Sequence, residues 1–352
     1  MANTDMRNID FAAKYEKKLD QIFSENSLTE RYVTKATQFT DDGGVASAYF
    51  RTVDTNDFLE QHTGPVFGTP NALKSSVVRK DLELFYKVNE VIPNVDINDT
   101  AGALADAGEI LQTGIREQYA PLIDKIRIAT AIQAANAYGG VNVVTATTSI
   151  MKDINSMIAA LKNVRSYART QALFIPASVE PELDESLFTI YAPNKNDSLI
   201  ESGIIGKYKG VEVVSLPDEL FNTMALDGEA PYAKAKFTAA PEIKAILWDK
   251  RVMKDVRKLY KTYVLTGKEA IAAGVDGALL RGLFRPGTWV VDANGTKKAV
   301  AIVKKSQSST QDNTQPAAFS APTVNEPIVN SVPVTNDEPT ANDEPTANEP
   351  EE

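Results

Sequence analysis

One histidine, no cysteine and 47 carboxylates bound the chemistry open to this chain. His62 stands in "QHTGP". A catalytic histidine needs a nucleophile and an orienting acid. Nothing in the order of residues nominates either, and a turn histidine is the plainer reading. Without cysteine there is no thiolate nucleophile, no disulfide and no sulfur-ligated metal. Carboxylates such as Asp41-Asp42, or Asp153 with Glu201, could do acid–base work only at a fixed spatial separation, which sequence spacing does not set. A phosphate loop requires a glycine-rich run ending in Gly-Lys-Ser/Thr. "GIIGKYKG" lacks that ending, and Gly267-Lys268 is followed by Glu269, which would repel phosphate. The run "KRVMKDVRKLYK" at 250–261 sets six cations against Asp255. It is either a solvated face beside a strand or a contact for an acidic neighbour or nucleic acid. No catalytic, cofactor-binding or metal-ligating residue emerges, so the chain is not expected to be an enzyme.

The elements that would position such residues are clearer. In the first 44 residues, Phe11, Tyr15, Leu19, Ile22 and Phe23 recur at helical spacing and stop near "SENS". Residues 45–92 are extended. "VASAYFRTV" and "VVRKDLELFYKVNEVIP" flank a loop with two proline breaks, which reads as a long hairpin needing a partner surface. The stretch "IREQYAPLIDKIRIATAIQAA" begins at Ile115 and is helical through to Gly139-Gly140, a good stop. Pro121 inside it predicts a first turn or a kink, because an interior proline costs about 3 kcal/mol. Ile123, Ile126 and Ile132 are expected to face the sheet that closes the body, with Asp124 and Lys125 available for contacts within or between subunits.

A second helix is predicted over 147–169, with Ile150, Ile154, Met157, Ile158, Leu161 and Val164 on one face and Thr or Ser as its cap. Strands follow at "ALFIP", "GIIGKYKGVEVVSLP", "EIKAILWD", "DVRKLYKTYVLTG" and "GALLRGLFR". The Asn294-Gly295 step predicts a closing hairpin. This mixture gives an α+β class.

Residues 306–352 differ in kind. They hold seven of the 18 prolines, a closing repeat "TNDEP", "TANDEP", "TANEP", and nine acids with no Lys or Arg. Removing those nine from 47 leaves 38 acids against 37 bases, so the body is nearly neutral and the tail carries the charge. Too little apolar surface is present there to offset the entropy of ordering, so a disordered tail is expected, with Phe319 as a candidate anchor. No run of about 18 apolar residues suggests a membrane span, and the start "MANTDMRNIDFAAKYEKKLD" lacks the apolar core of a signal peptide.

The order of elements, with "KVNEVIPNVDINDTAG" before "IREQYAPLIDKIRIATAIQAA", resembles the major capsid proteins of tailed bacteriophages, which have the Hong Kong 97-type shell fold. Ala120, Pro121, Leu122, Ile123 and Asp124 are similar to the family's Pro-x-Ile-Asp segment, except that Leu122 replaces the usual Glu. "GIIGKYKGVEVVSLPDEL" and "GALLRGLFRPGTWVVDANGTKKAVAI" look like the strand into its axial domain and its closing peripheral strands. The resemblance spans roughly residues 10–303.

It implies an N-terminal arm (1–44), an extended loop (45–92), a peripheral domain with a long spine helix (93–144 and 251–305), an axial domain (145–250) and the tail (306–352). It implies self-assembly into hexamers and pentamers that form an icosahedral shell around phage double-stranded DNA. The DNA would be touched by non-specific contact, and the virion assembled in the host cytoplasm. The short arm implies a separate scaffolding protein, and the head a portal protein. Some members of that family form Lys–Asn cross-links, and Lys74 sits in the kind of extended loop such a link would use. An encapsulin-like compartment with an enzyme cargo is the alternative, followed by a secreted or surface structural protein. The acidic tail is expected to face outward, away from DNA.

Overall fold

A computed structural model describes residues 18, 20–35, 38–41, 46–54, 74–93, 109–183, 189–190, 204–228, 232–265, 272, 274, 277–291 and 299–305. His62, Asp42, Glu201, Gly267 to Glu269, the Asn294-Gly295 step, Phe319 and the tail lie outside them. The chain divides after Gln307, and the description below concerns the unit before that point.

The arm carries helix α1, which ends at Asn26, then a 3-10 turn at Glu30–Tyr32 and the short strand β1 (Thr34–Lys35). Next come β2 (Gln38–Asp41), β3 (Ala46–Asp54) and β4 (Lys74–Asp81), an antiparallel three-stranded sheet in which Asp54 pairs with Lys74. The expected hairpin is therefore present at its base. Its second limb is not one strand, however. After Leu82 the chain enters β5 (Tyr86–Pro93), which pairs elsewhere. Leu82 is the reason for the break. It is fully buried, in a small core with Ala48, Phe50, Val256 and Val291, and Trp289 packs against it. Any side chain at Gly287 would collide with the Trp289 indole, so only glycine fits beneath that ring.

Helix α2 runs from residue 109 through Tyr138, with a π-helical turn at Ile115–Tyr119 before the α-helical Ala120–Tyr138. Pro121 donates no hydrogen bond, and in a regular helix its ring would meet the Glu117 carbonyl. The π turn relieves this, and the Ala120 amide reaches back five residues to the Ile115 carbonyl. Pro121 thus sits in the first turn of the α-helical segment, and the helix passes through it. Gly139, at φ 56°, ends the helix as expected.

The helix does not present one apolar face. Ile126, Arg127, Ile128 and Ala129 are consecutive and all buried, so the middle of the helix is enclosed on every side while residues such as Arg116 and Gln133 nearer its ends are exposed. Ile123 and Ile126 pack with Phe23 of the arm and with Leu280 and Phe284, whereas Ile132 packs with a different sheet. The expectation that all three face one closing sheet is corrected accordingly.

After α2 come β6 (Val143–Thr145), α3 (Ile150–Asn163), β7 (Gln171–Pro176), β8 (Thr189–Ile190), β9 (Ile204–Tyr208), β10 (Val211–Leu216), β11 (Asn222–Asp227), β12 (Lys234–Ala239), β13 (Ile243–Asp249), β14 (Met253–Leu265), β15 (Gly277–Val290) and β16 (Val300–Lys304). The central sheet has seven strands in the order β6-β16-β13-β7-β10-β9-β8. Every residue of β7 is buried, which is why "ALFIP" reads as a continuous apolar run. A second sheet has the order β1-β14-β15-β5, and β11 and β12 form a hairpin of their own.

Three sequence readings change. Helix α3 is shorter than 147–169, and Ser149 caps it by its backbone only. "GIIGKYKGVEVVSLP" is a hairpin rather than one strand, turning at Lys209 (φ 50°) and Gly210 (φ 84°), both in the left-handed region. The strands on either side of Asn294-Gly295 do not pair. β15 lies between β14 and β5, whereas β16 joins β13 and β6 in the central sheet.

Candidate functional site

The densest polar arrangement lies where the arm, α2 and the β14–β15 sheet meet, and its centre is Arg127, which is fully buried. Its Nη2 donates to Asp255 Oδ2 at 2.7 Å and to Glu30 Oε2 at 2.5 Å. Its Nη1 donates to Ser27 Oγ at 3.0 Å and Thr29 Oγ1 at 2.9 Å, with Asp124 Oδ1 at 3.4 Å. Burial opposes the charge on Arg127, but Asp255, Asp124 and Glu30 outweigh it and raise its pKa further. Arg257 joins from β14. It donates to Glu30, and its Nε lies 3.2 Å from Asp255 Oδ2.

Asp124 is the second anchor. It accepts the Leu28 amide at 2.9 Å, the Thr29 amide at 3.3 Å and Ser27 Oγ at 2.7 Å. It therefore closes the turn between α1 and Glu30 onto α2. Asp124 and Arg127 stand three residues apart, so both point to the same side of the helix. Phe23 lies beneath the Arg257 guanidinium at 3.9 Å and edge-on to Tyr119, which in turn packs on Phe284. Burial, with the nearby Asp255 charge, pushes the Tyr119 hydroxyl well up from its ordinary pKa. Asp124 was anticipated as a contact residue, and it makes that contact within the chain. Lys125 sits over the Phe237 ring at 5.4 Å. Arg127 was missed. The available signal was an Asp-x-x-Arg pair inside an otherwise apolar helical run.

A second buried carboxylate, Asp249, ends β13. It accepts from Ser166 Oγ at 2.6 Å, Thr170 Oγ1 at 3.0 Å and Arg251 Nη2 at 2.7 Å. Burial alone would raise its pKa, but the Arg251 and Ser166 bonds hold it below the ordinary 3.8. A depressed folded-state pKa contributes stability above about pH 4, and that contribution drains away as pH falls through the folded value. Asp249→Asn is therefore expected to flatten the loss of stability between about pH 5 and pH 2, read by urea unfolding. Unchanged pH dependence in the variant would show that Asp249 is not depressed.

Two of the six cations in the basic run at 250–261 are engaged by acids of the chain. Arg251 serves Asp249, and Arg257 serves Glu30 and Asp255. Asp153, once paired in sequence with Glu201, instead fixes the entry to α3 by accepting the Thr147 amide at 2.9 Å and hydroxyl at 2.8 Å. In the hairpin, Ser47 donates to Asp81 at 2.7 Å and Arg79 Nε to the same oxygen at 2.8 Å. Lys74 takes its place at the end of β4. Among the described residues no group of three or more His, Asp or Glu could hold a metal ion. Apart from the buried Arg127 Nε and Gln171 Oε1, which have no hydrogen-bond partner, the polar groups of these clusters bond one another, and in doing so they join segments distant in the chain.

No protein-family model matches the sequence, and no curated protein does. Solved structures do. The capsid structure of cyanophage P-SCSP1u superposes with a TM-score of 0.50 at 16% identity, covering 79% of this chain and 86% of that one. The fold is that of a phage capsid protein. The mature capsid of bacteriophage PhiM1 is also similar, with a TM-score of 0.47 at 13% identity, covering 81% of this chain and 87% of that one. A capsid-type fold suits what the clusters do, since they fasten an arm and a long helix to a sheet. Among the described residues no helix is long and apolar enough to cross a membrane.

Proposed function

We propose that this chain is a major capsid protein whose copies form hexamers and pentamers of a closed icosahedral shell around double-stranded DNA. The observation that carries this reading is the architecture. A hairpin stands on its own small sheet, a single long helix is clamped between two sheets, and the chain returns through β14 and β15 to rejoin the central sheet at β16. Such a body is stiff where repeated contacts need a fixed frame. Residues 45–92 serve as the extended loop that reaches a neighbouring subunit, and the exposed Val77 on β4, 59% accessible, is apolar surface that such a neighbour would cover. In this reading residues 1–44 are the arm, 93–144 and 251–305 the peripheral domain and 145–250 the axial domain. The strands β6 and β16 carry the chain between the layers.

A separate scaffolding protein and a portal complete the assembly, which takes place in the host cytoplasm. The role is structural and needs no enzymatic activity or cofactor. The acidic tail faces outward. Negative-stain microscopy of the full chain, expressed with a scaffolding partner, tests the reading, and closed shells are expected. Stable monomers in the presence of the scaffold would overturn it. The contents of purified particles, nucleic acid or a cargo enzyme, separate a phage head from an encapsulin-type compartment.

A further inference from the structure

The two ends of the central sheet differ in charge. One end is set by the starts of β7 and β10 and the ends of β9 and β13, as their register shows. There the β9–β10 turn lies against residues 165–170, since a Cβ on Gly210 would sit 3.4 Å from that of Ala168. The Lys250 amide donates to the Thr170 carbonyl at 2.9 Å, bringing the β13–β14 turn to the same rim. Lys162, Arg165, Arg169, Lys209 and Lys250 are all exposed along this rim, with Tyr167 between them. The carboxylates nearby are already engaged. Asp249 is buried and held by Arg251, and Glu212 by Arg31 and Lys207. Among the described residues none of the five rim cations has a carboxylate in ion-pair contact. Arg165 and Lys209 even adopt the left-handed backbone conformation, at φ 59° and 50°. At the other end of the sheet, beyond β7 and β10, the exposed charges include Glu180, Glu182, Asp218 and Glu219.

We infer that this cationic rim binds the phosphate backbone of nucleic acid without regard to sequence. Lys209 bonds the neutral Asn155 Oδ1 at 2.5 Å and lies over the Tyr208 ring, contacts that leave its charge in place. Five exposed cations on one rim, none of them neutralised by a carboxylate among the described residues, match a duplex, which offers a negative charge about every 1.7 Å along its axis. The chain's own acidic tail is the competing polyanion, and a labelled tail peptide is the comparison that separates it from a duplex. The inference rests on the capsid reading for where DNA would be met. It also assigns the rim to the inner side of the shell.

The test is fluorescence anisotropy of a labelled DNA duplex with the unassembled full-length chain, titrated at several salt concentrations. Five phosphate contacts predict a loss of affinity of ~500-fold between 50 and 200 mM salt. The triple variant Lys162→Gln, Arg169→Gln, Lys250→Gln keeps two contacts and should lose only ~12-fold over the same range, from a weaker start. The variant Lys80→Gln, Lys87→Gln, Lys236→Gln has the same net charge and substitutes exposed cations off the rim, so it should behave as the parent does. Equal effects of the two triples, or no duplex binding at 50 mM salt, would overturn the inference. So would a labelled peptide of residues 306–352 binding the rim where duplex does not. Grids of the same proteins with scaffold separate the two ideas. Shells without rim-dependent binding overturn the rim alone, and rim-dependent binding by a chain that never forms shells overturns the capsid reading alone.

Discussion

Arg127→Ala is expected to destabilise the folded chain by about 3–5 kcal/mol, the range for removing one partner of a buried ionic network. The reason is what stays behind. Asp255 is 1% exposed and Asp124 2% exposed, and with Glu30 they would lose the cation that balances them. Ser27 and Thr29 would lose their donor at the same time. The effect should centre on the arm, because Ser27 to Glu30 meet the body through this cluster. Urea unfolding gives the magnitude, and limited proteolysis at residues 20–35 gives the location. Arg127→Lys should fall between the two, since it restores charge but not the fork that reaches Asp255, Glu30 and both hydroxyls. A cost below about 1 kcal/mol for the alanine variant would mean that water enters and solvates the carboxylates, and the cluster would not be the arm's anchor.

Trp248→Ala is expected to cost a similar ~3–5 kcal/mol by a different route. Trp248 is fully buried in β13 and stacks on Phe174 with ring centroids 4.0 Å apart. Tyr32 of the arm meets Phe174 edge-on at 5.3 Å, and the Trp248 indole N–H donates to the Tyr32 carbonyl at 2.8 Å. Truncation opens a cavity in the central sheet and leaves that carbonyl without its donor. Hydrogen exchange is expected to rise at 30–35 as well as in β13. Faster exchange in β13 alone would show that the arm holds without the tryptophan. The two variants act on the arm from separate sides, one polar and one apolar. Their costs should add to within about 0.5 kcal/mol if the sites are independent.

Several local features were legible because they depend on near neighbours. The helical spacing of Ile150, Ile154, Met157, Ile158 and Leu161 matches the buried side of α3. The glycine stop at 139 holds because only a positive φ ends the helix there. Pro121 was legible as an early-turn residue, but the π turn that admits it was not, since it answers a clash between the ring and a carbonyl four residues back. The Lys209-Gly210 turn was hidden because lysine in a left-handed conformation carries no sequence signature.

The partnerships were not legible. Asn294-Gly295 has the composition of a tight hairpin, yet the strands beside it join different sheets, because β16 finds a better-buried place between β13 and β6. The basic run at 250–261 promised a charged surface, yet Arg251 and Arg257 turn to buried acids. The five cations of the rim come from four separate places in the chain: the end of α3, residues 165–169, the β9–β10 turn and the β13–β14 turn.

The sequence by itself determined the α+β mixture, the apolar strands and the long helix. Each of these follows from residue type and short-range spacing, through hydrophobic period and the chemistry a side chain can carry. Only the tertiary structure decided which strands share a sheet and that Arg127 is buried. It also decided that Asp124 and Asp255 hold that arginine across separations of up to 128 residues, and that five cations gather on one rim. Those outcomes turn on which distant segments exclude water from one another, and a charge is tolerable in a core only when its partners arrive from elsewhere in the chain.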